Sequence, residues 1–142
     1  MPRMSRGVVR GIVRAGKVSE PLTMQCVRDA GGALTFTMPV PPSSNRWWRK
    51  WKNRMVLSDE AREYKLLVAK AYRRAELKGD IAVSLTWYRE RRSGDLDKRL
   101  GVILDSLQGI AYASDAQITQ LTAKRVDDPK NARVIVTVSP AA

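Results

Sequence analysis

The sequence predicts an α+β domain, a single unit with helices packed on a mixed sheet, and three patterns carry that expectation. Ile81, Val83, Leu85 and Trp87 alternate with Ala82, Ser84, Thr86 and Tyr88, the period of a strand with one buried face. Tyr64, Leu67, Val68, Ala71 and Ala75 recur at helical spacing, as do Leu100, Ile103, Leu104 and Leu107, so two helices each carry an apolar stripe. These elements interleave in the order β-α-β-α-β-β.

Residues 1–32 carry Arg3, Arg6, Arg10, Arg14 and Lys17 among several glycines, with no clear period. They are expected to form a flexible basic N-terminal arm, leaving residues 33–142 as the folded domain. Leu34, Phe36 and Met38 alternate with Thr35 and Thr37 and make a strand that Pro39 ends. A proline-stiffened loop follows and becomes basic and aromatic from Asn45 to Arg54. Ser58 suits an N-cap, with Asp59 and Glu60 in a first turn that favours negative charge. That helix is expected to run to Gly79, a residue suited to the stop position. After the strand over 81–88, the charged segment RERRSG leads to Asp95. The second helix starts near Asp97 and ends at Gly109. Two further strands are expected over 117–126 and 133–138, joined by the turn DDPKN.

A chain of 142 residues is large enough for one hydrophobic core but not for two. Its 26 Lys and Arg against 14 Asp and Glu give a net charge of +12 and a pI near 10.4, which point first to nucleic acid. No apolar run is long enough to span a bilayer, and the first residues do not read as a secretory signal. A basic RNA- or ribosome-associated protein accounts for the charge but not for the spaced Asp residues described below. A membrane-surface binder needs an amphipathic basic helix, which the glycines of the arm disfavour. Cys26 is the only cysteine, which suits a reducing cytosol. The absence of His removes Ser-His and Cys-His nucleophile pairs and His-based zinc sites. Ligands for a catalytic metal are therefore mainly oxygen, which favours Mg²⁺ or Mn²⁺.

Carboxylates gather where the chain is otherwise basic. Asp95 and Asp97 bracket one Leu, and Asp115 opens the later strand. An extended segment at Asp95 would point both side chains to one side. Paired carboxylates repel unless a cation lies between them, and a divalent cation there can bind phosphate and activate water. Asp97 also fits a simple N-cap and Asp115 a simple turn, and a D-x-D triplet alone is a weak motif.

Several motifs in order are more specific. Asp95-Leu96-Asp97, Leu104-Asp105-Ser106-Leu107 and Asp115-Ala116-Gln117-Ile118, preceded by MPVPPSSNRWW (Met38 to Trp48) and by Ser58 through Tyr64, resemble the RusA-type crossover junction endodeoxyribonucleases, the Holliday junction resolvases. The resemblance covers roughly residues 34–138. It implies that Asp95, Asp97 and Asp115 are catalytic, Mg²⁺-binding carboxylates. It also implies a homodimer acting on four-way junction DNA, in the cytoplasm of a bacterial or phage-infected cell and associated with its nucleoid. The product would carry a 5′-phosphate and a 3′-hydroxyl, and no small-molecule cofactor is expected. Two-fold symmetry suits a substrate that needs two opposed nicks. The chain departs from the family at Gly101, where a catalytic Lys is usual, and at Ser114, where an acid is common. Lys98, one helical turn before Gly101, is expected to supply the missing cation. The alternative is a catalytically weakened DNA-binding protein that keeps the fold.

The stretch NRWWRKWKNR places three Trp among five Lys or Arg. Arg46, Trp47, Trp48, Arg49, Lys50 and Lys52 are candidate DNA contacts, the cations to phosphates and the Trp rings to bases. One or two of these Trp are equally suited to packing beneath the sheet; Trp87 and Tyr64 are expected in the core. Arg89, Arg91 and Arg92, just before the carboxylates, are further candidates for holding phosphate.

Overall fold

The computed structural model describes the backbone of residues 3–9 and, with side chains, residues 22–90 and 94–141. The strands are β1 (Arg3–Val9), β2 (Leu22–Arg28), β3 (Leu34–Met38), β4 (Trp48–Trp51), β5 (Arg54–Leu57), β6 (Ile81–Arg89), β7 (Ile118–Asp127) and β8 (Arg133–Pro140). The helices are α1 (Ser44–Trp47), α2 (Asp59–Ala71) and α3 (Asp97–Leu107), with a 3-10 turn at Asp115–Gln117. Among the described residues, six strands form one sheet in the order β1-β2-β3-β8-β6-β7, and β4 and β5 form a separate hairpin. The sheet is mixed as expected: β6 and β7 are parallel, joined through α3, and its other pairs are antiparallel. A parallel pair needs such a crossover.

Alternation along the strands decides which face is buried. Ile81, Val83, Leu85 and Trp87 of β6, Val134, Val136 and Val138 of β8, and Leu34, Phe36 and Met38 of β3 are all buried. The registers Leu85↔Val136 and Phe36↔Val136 align them on one face. Ala61, Tyr64 and Val68 of α2 and Val102, Ile103 and Leu107 of α3 complete the same core. The opposite face is polar, with the Thr35 and Thr137 hydroxyls 3.1 Å apart. Tyr64 and Tyr72 donate from within the core to the carbonyls of Pro39 and Thr37, so each buried phenol is satisfied. Burial pushes the Cys26 thiol up to about 11, which leaves it a small apolar core side chain.

The structure corrects three expectations. The flexible arm was drawn to residue 32, yet Leu22–Arg28 is a strand paired with β3, with Met24 and Cys26 buried; β1 pairs with it in turn. Helix α2 was drawn to Gly79 but ends at Ala71. Tyr72 is extended at φ −124 and ψ 142, and the N–H groups of Ala75 and Leu77 donate instead to the carbonyls of Ile110 and Ala111, each at 2.8 Å. The basic aromatic stretch, expected as a loop, forms a hairpin of β4 and β5. Ser58 caps α2 as expected, accepting from the Ala61 N–H at 3.1 Å. Helix α3 buries Ile103 and Leu107 fully and Leu100 and Leu104 in part.

Candidate active site and nucleic-acid interface

The turn into α3 is fixed from below. Arg89, the last residue of β6, is buried; its Nε donates to Asp127 of β7 and its Nη1 to the carbonyl of Gly94 at 3.3 Å. Arg125 Nη1 donates to the same carbonyl at 3.4 Å. Gly94 has φ +94, and a Cβ there would lie 3.1 Å from Cη2 of the buried Trp87. Asp95 and Asp97 follow on this anchored turn and are exposed.

Asp97 is the first residue of α3 rather than its cap: the cap position is Leu96, at φ −59 and ψ −42, with no side-chain cap bond. The backbone at Leu96 is therefore helical, and the strand-like alternation expected to align the two carboxylates does not occur. The pair instead opens a helix, where the macrodipole favours negative charge. Lys98 Nζ lies 3.8 Å from Asp95 Oδ2, an exposed i, i+3 contact. Gly101 is exposed, with nothing within 4 Å of a built Cβ.

Asp115 is held by its neighbours. Ser114 Oγ accepts from the Ala116 N–H at 3.2 Å, and Gln117 Oε1 accepts from the N–H of Ser114 at 3.1 Å and of Ala113 at 2.9 Å. Gln117 Nε2 donates to the carbonyls of Leu77 and Gly79, each at 2.8 Å. The Asp115 N–H donates to Gln108 Oε1 at 3.3 Å. Sequence reasoning missed this clamp, although Ser114 followed three residues later by Gln117 is a capping-box signature. Tyr112 lies alongside, its hydroxyl donating to the Leu104 carbonyl at 2.5 Å. Burial, then the charges of Asp115 and Asp105, push that phenol well above its usual range, so it remains a donor.

The carboxylates do not converge within one chain. Asp115 sits where β7 begins, Ile118 beside Ile81, while Gly94 packs on Trp87 and bonds Arg89 and Arg125 at the far end of the same strands. From Ile81 to Trp87 the strand spans about 20 Å. Asp95 and Asp97 thus lie at one end of α3 and Asp115 at the other. No group of three metal-ligating side chains occurs among the described residues. The donor types suit a hard divalent cation, but one chain supplies them in two separate parts.

The basic aromatic stretch divides between core and surface. Trp47 is buried against Tyr64, and its Nε1 donates to Asp105 Oδ2 at 3.1 Å. Lys65 Nζ lies 3.4 Å from the same oxygen. Trp47 is therefore unavailable to DNA. Arg89 is likewise buried and committed to Asp127 and Gly94, which makes it a support for the carboxylate turn rather than a phosphate contact. Arg46 is exposed and bonds Glu60 at 2.6 Å. Trp48, Arg49, Lys50 and Lys52 stand exposed on the hairpin, as does Trp51, the third Trp of the same stretch. Arg91 and Arg92 lie outside the described residues.

Residues 38–139 match the family profile described as Endodeoxyribonuclease RusA. The chain belongs to the RusA family. Among curated relatives, it is similar to the crossover junction endodeoxyribonuclease RusA of Escherichia coli strain K12. The two are 28% identical over 111 residues, 74% of this chain and 92% of the relative. The RusA protein of Enterobacteria phage HK97 is 31% identical over 85 residues, 56% of this chain and 71% of that one. The Shigella sonnei protein of the same name is 27% identical over 111 residues. For a RusA-family chain, the Asp97 turn, the Asp115 clamp and the hairpin all fall inside the matched region.

Proposed function

We propose that this RusA-family chain is a divalent-metal-dependent endonuclease that resolves four-way DNA junctions by paired nicks, and that it does so as a homodimer. The observation that carries the reading is the separation of Asp95 and Asp97 from Asp115 along α3. A second copy related by a two-fold axis brings the Asp95–Asp97 end of one chain to the Asp115 end of the other, and does so twice. Strand β7 suits such pairing. It is an edge strand with Leu121 and Val126 exposed. Antiparallel pairing of two β7 edges sets Ile118 of one copy near Asp127 of the other, beside the Gly94 turn. Two equivalent sites on one symmetric body match two opposed strands of a nearly two-fold junction.

Asp95, Asp97 and Asp115 are then the ligands that hold Mg²⁺ or Mn²⁺, which supplies Lewis acidity toward the phosphate and a more acidic bound water. Lys98 stabilises negative charge building on the phosphate. Arg46, Arg49, Lys50 and Lys52 neutralise backbone phosphates away from the cut, a contribution that weakens with salt. The attacked phosphodiester leaves a 5′-phosphate and a 3′-hydroxyl. No helix among the described residues is long and apolar enough to cross a membrane, and a DNA substrate places the action at the nucleoid.

The test is a synthetic four-way junction incubated with the purified protein, with and without Mg²⁺. Symmetric nicks should require the metal. Asp97→Asn should abolish them while leaving junction binding in EDTA unchanged or tighter. Lys98→Ala should slow single-turnover cutting about tenfold, roughly 1.4 kcal/mol of barrier. Normal cutting by the Asp97→Asn variant would overturn the assignment. A second reading, a weakened enzyme that mainly binds junctions, is favoured by Gly101, which leaves open space where a Lys is usual in the family. It predicts slow cutting by the parent and a strong gain from Gly101→Lys.

A further inference from the structure

We propose that the β4–β5 hairpin is a two-sided aromatic blade that stacks on unpaired bases, so that the protein recognises DNA opened at its branch point rather than the duplex arms. The proposal takes its substrate from the nuclease reading but not its test. The hairpin turns tightly at Lys52 and Asn53, both at positive φ (47 and 62), the conformation of the tightest two-residue hairpin turns. Its root is fixed. The Ser58 N–H donates to the Trp47 carbonyl at 2.9 Å and Ser58 Oγ to the Arg46 carbonyl at 2.6 Å, while the Trp47 ring is buried in the core.

Beyond that root each face of the hairpin carries one exposed tryptophan. The register pairs Trp48 with Leu57, Arg49 with Val56, Lys50 with Met55 and Trp51 with Arg54. Since successive side chains alternate and directly paired ones share a face, one face carries Trp48, Lys50, Met55 and Leu57. The other carries Arg49, Trp51, Arg54 and Val56. Trp48 and Trp51 are 47% and 42% exposed. A hairpin built to pack on a protein usually has one apolar and one polar face; this one has an exposed tryptophan and at least one cation on each. From Ser43 to Ser58 the chain holds five cations and no carboxylate, so the complementary partner is a polyanion. Lys52 Nζ and Arg54 Cζ lie over the Trp51 ring at 4.5 and 5.8 Å from its centroid, so a base that stacks there displaces a mobile cation, which stays within reach of that nucleotide's phosphate. Every base offers a π-face to such a ring, which makes the contact tolerant of sequence and dependent on unpairing. Duplex DNA, with its bases already stacked, offers only phosphates to the same cations.

The experiment is binding in EDTA, where no cutting is needed, by the full-length protein and its Trp51→Ala, Trp48→Ala and Trp51→Phe variants. The probes are a four-way junction with 2-aminopurine beside the branch, oligo(dT), and a plain duplex. Trp51→Ala should weaken junction and oligo(dT) binding at least about fivefold, the lower end for one stacked base, and reduce the 2-aminopurine response. Duplex affinity should change by less than about twofold, and Trp51→Phe should retain most of the parent's binding. The remaining emission from buried Trp47 and Trp87 reports that each variant is folded. The proposal fails if both Ala variants bind the junction as the parent does, or if junction and duplex affinities fall in parallel. Parent-like stacking without metal-dependent cutting would refute the nuclease reading and leave the blade standing.

Discussion

Gly94 and Gly101 flank the first turns of α3, and adding one methyl group to each should have opposite effects. At Gly94 the backbone is at φ +94 and the new Cβ would stand 3.1 Å from the Trp87 ring, which is buried and cannot retreat. Gly94→Ala should therefore destabilise the fold by at least about 1 kcal/mol, from the disfavoured dihedral before any clash is added. It should also slow cutting, because Arg89 and Arg125 hold the Gly94 carbonyl that positions Asp95. At Gly101 the backbone is helical and nothing lies within 4 Å. Gly101→Ala should stabilise α3 by roughly 0.5–1 kcal/mol and leave cutting unchanged. Thermal melts of the two variants check the signs. A Gly94→Ala protein as stable as the parent would show that the turn is not constrained as described.

Adjacent tryptophans show how far an element can be read without its surroundings. Strand β6 was legible because every second residue is apolar and buried, and α3 because its stripe holds over about two turns. The hairpin was not: Arg49 to Met55 are all exposed, so no period of burial marks them as strands. The end of α2 was misjudged because Ala75 continues the helical spacing, while the hydrogen bonds that pull it away come from Ile110 and Ala111, remote in sequence. Strand β2 alternates too, Met24 and Cys26 buried between Thr23 and Gln25, but the run is short and adjoins the basic arm, with which it was grouped. The three Asp were legible as motifs, but their separation along α3 is a property of topology. Trp47 and Trp48 are neighbours of identical chemistry, and only Asp105 decides which is the anchor. Trp47→Phe should cost about 1 kcal/mol by removing the indole donor to Asp105 Oδ2, which keeps its longer contact with Lys65, whereas Trp48→Phe should change stability by less than about 0.5 kcal/mol. Denaturant titrations of both distinguish them; equal, small effects would remove Trp47 as the root of the hairpin.

On the scale of the whole molecule, a charge of +12 gathers DNA but does not cut it, and cutting depends on how two chains share their carboxylates. If each site takes Asp95 and Asp97 from one copy and Asp115 from the other, complementary defects should rescue one another. In a heterodimer of Asp97→Asn with Asp115→Asn chains, one site collects both lesions. The other combines an intact Asp95–Asp97 pair from the Asp115→Asn chain with an intact Asp115 from the Asp97→Asn chain. That heterodimer should nick one strand of a junction in Mg²⁺ at a rate near that of a single parental site, although each homodimer is inactive. Sites built within one chain give the contrary result, because both chains then carry a defect in their own site. Co-expression with two different affinity tags isolates the heterodimer, and a junction labelled on each strand counts the nicks. An inactive heterodimer with unimpaired junction binding would refute the shared site. Leu121→Glu on the β7 edge supplies the companion measurement: sedimentation should show a monomer, and cutting should be lost while far-ultraviolet circular dichroism stays that of the parent, since Leu121 is 43% exposed in the single chain and only the dimer's share of the melting temperature is removed. A Leu121→Glu protein that stays dimeric would move the contact away from β7 while leaving the complementation result to decide whether the sites are shared.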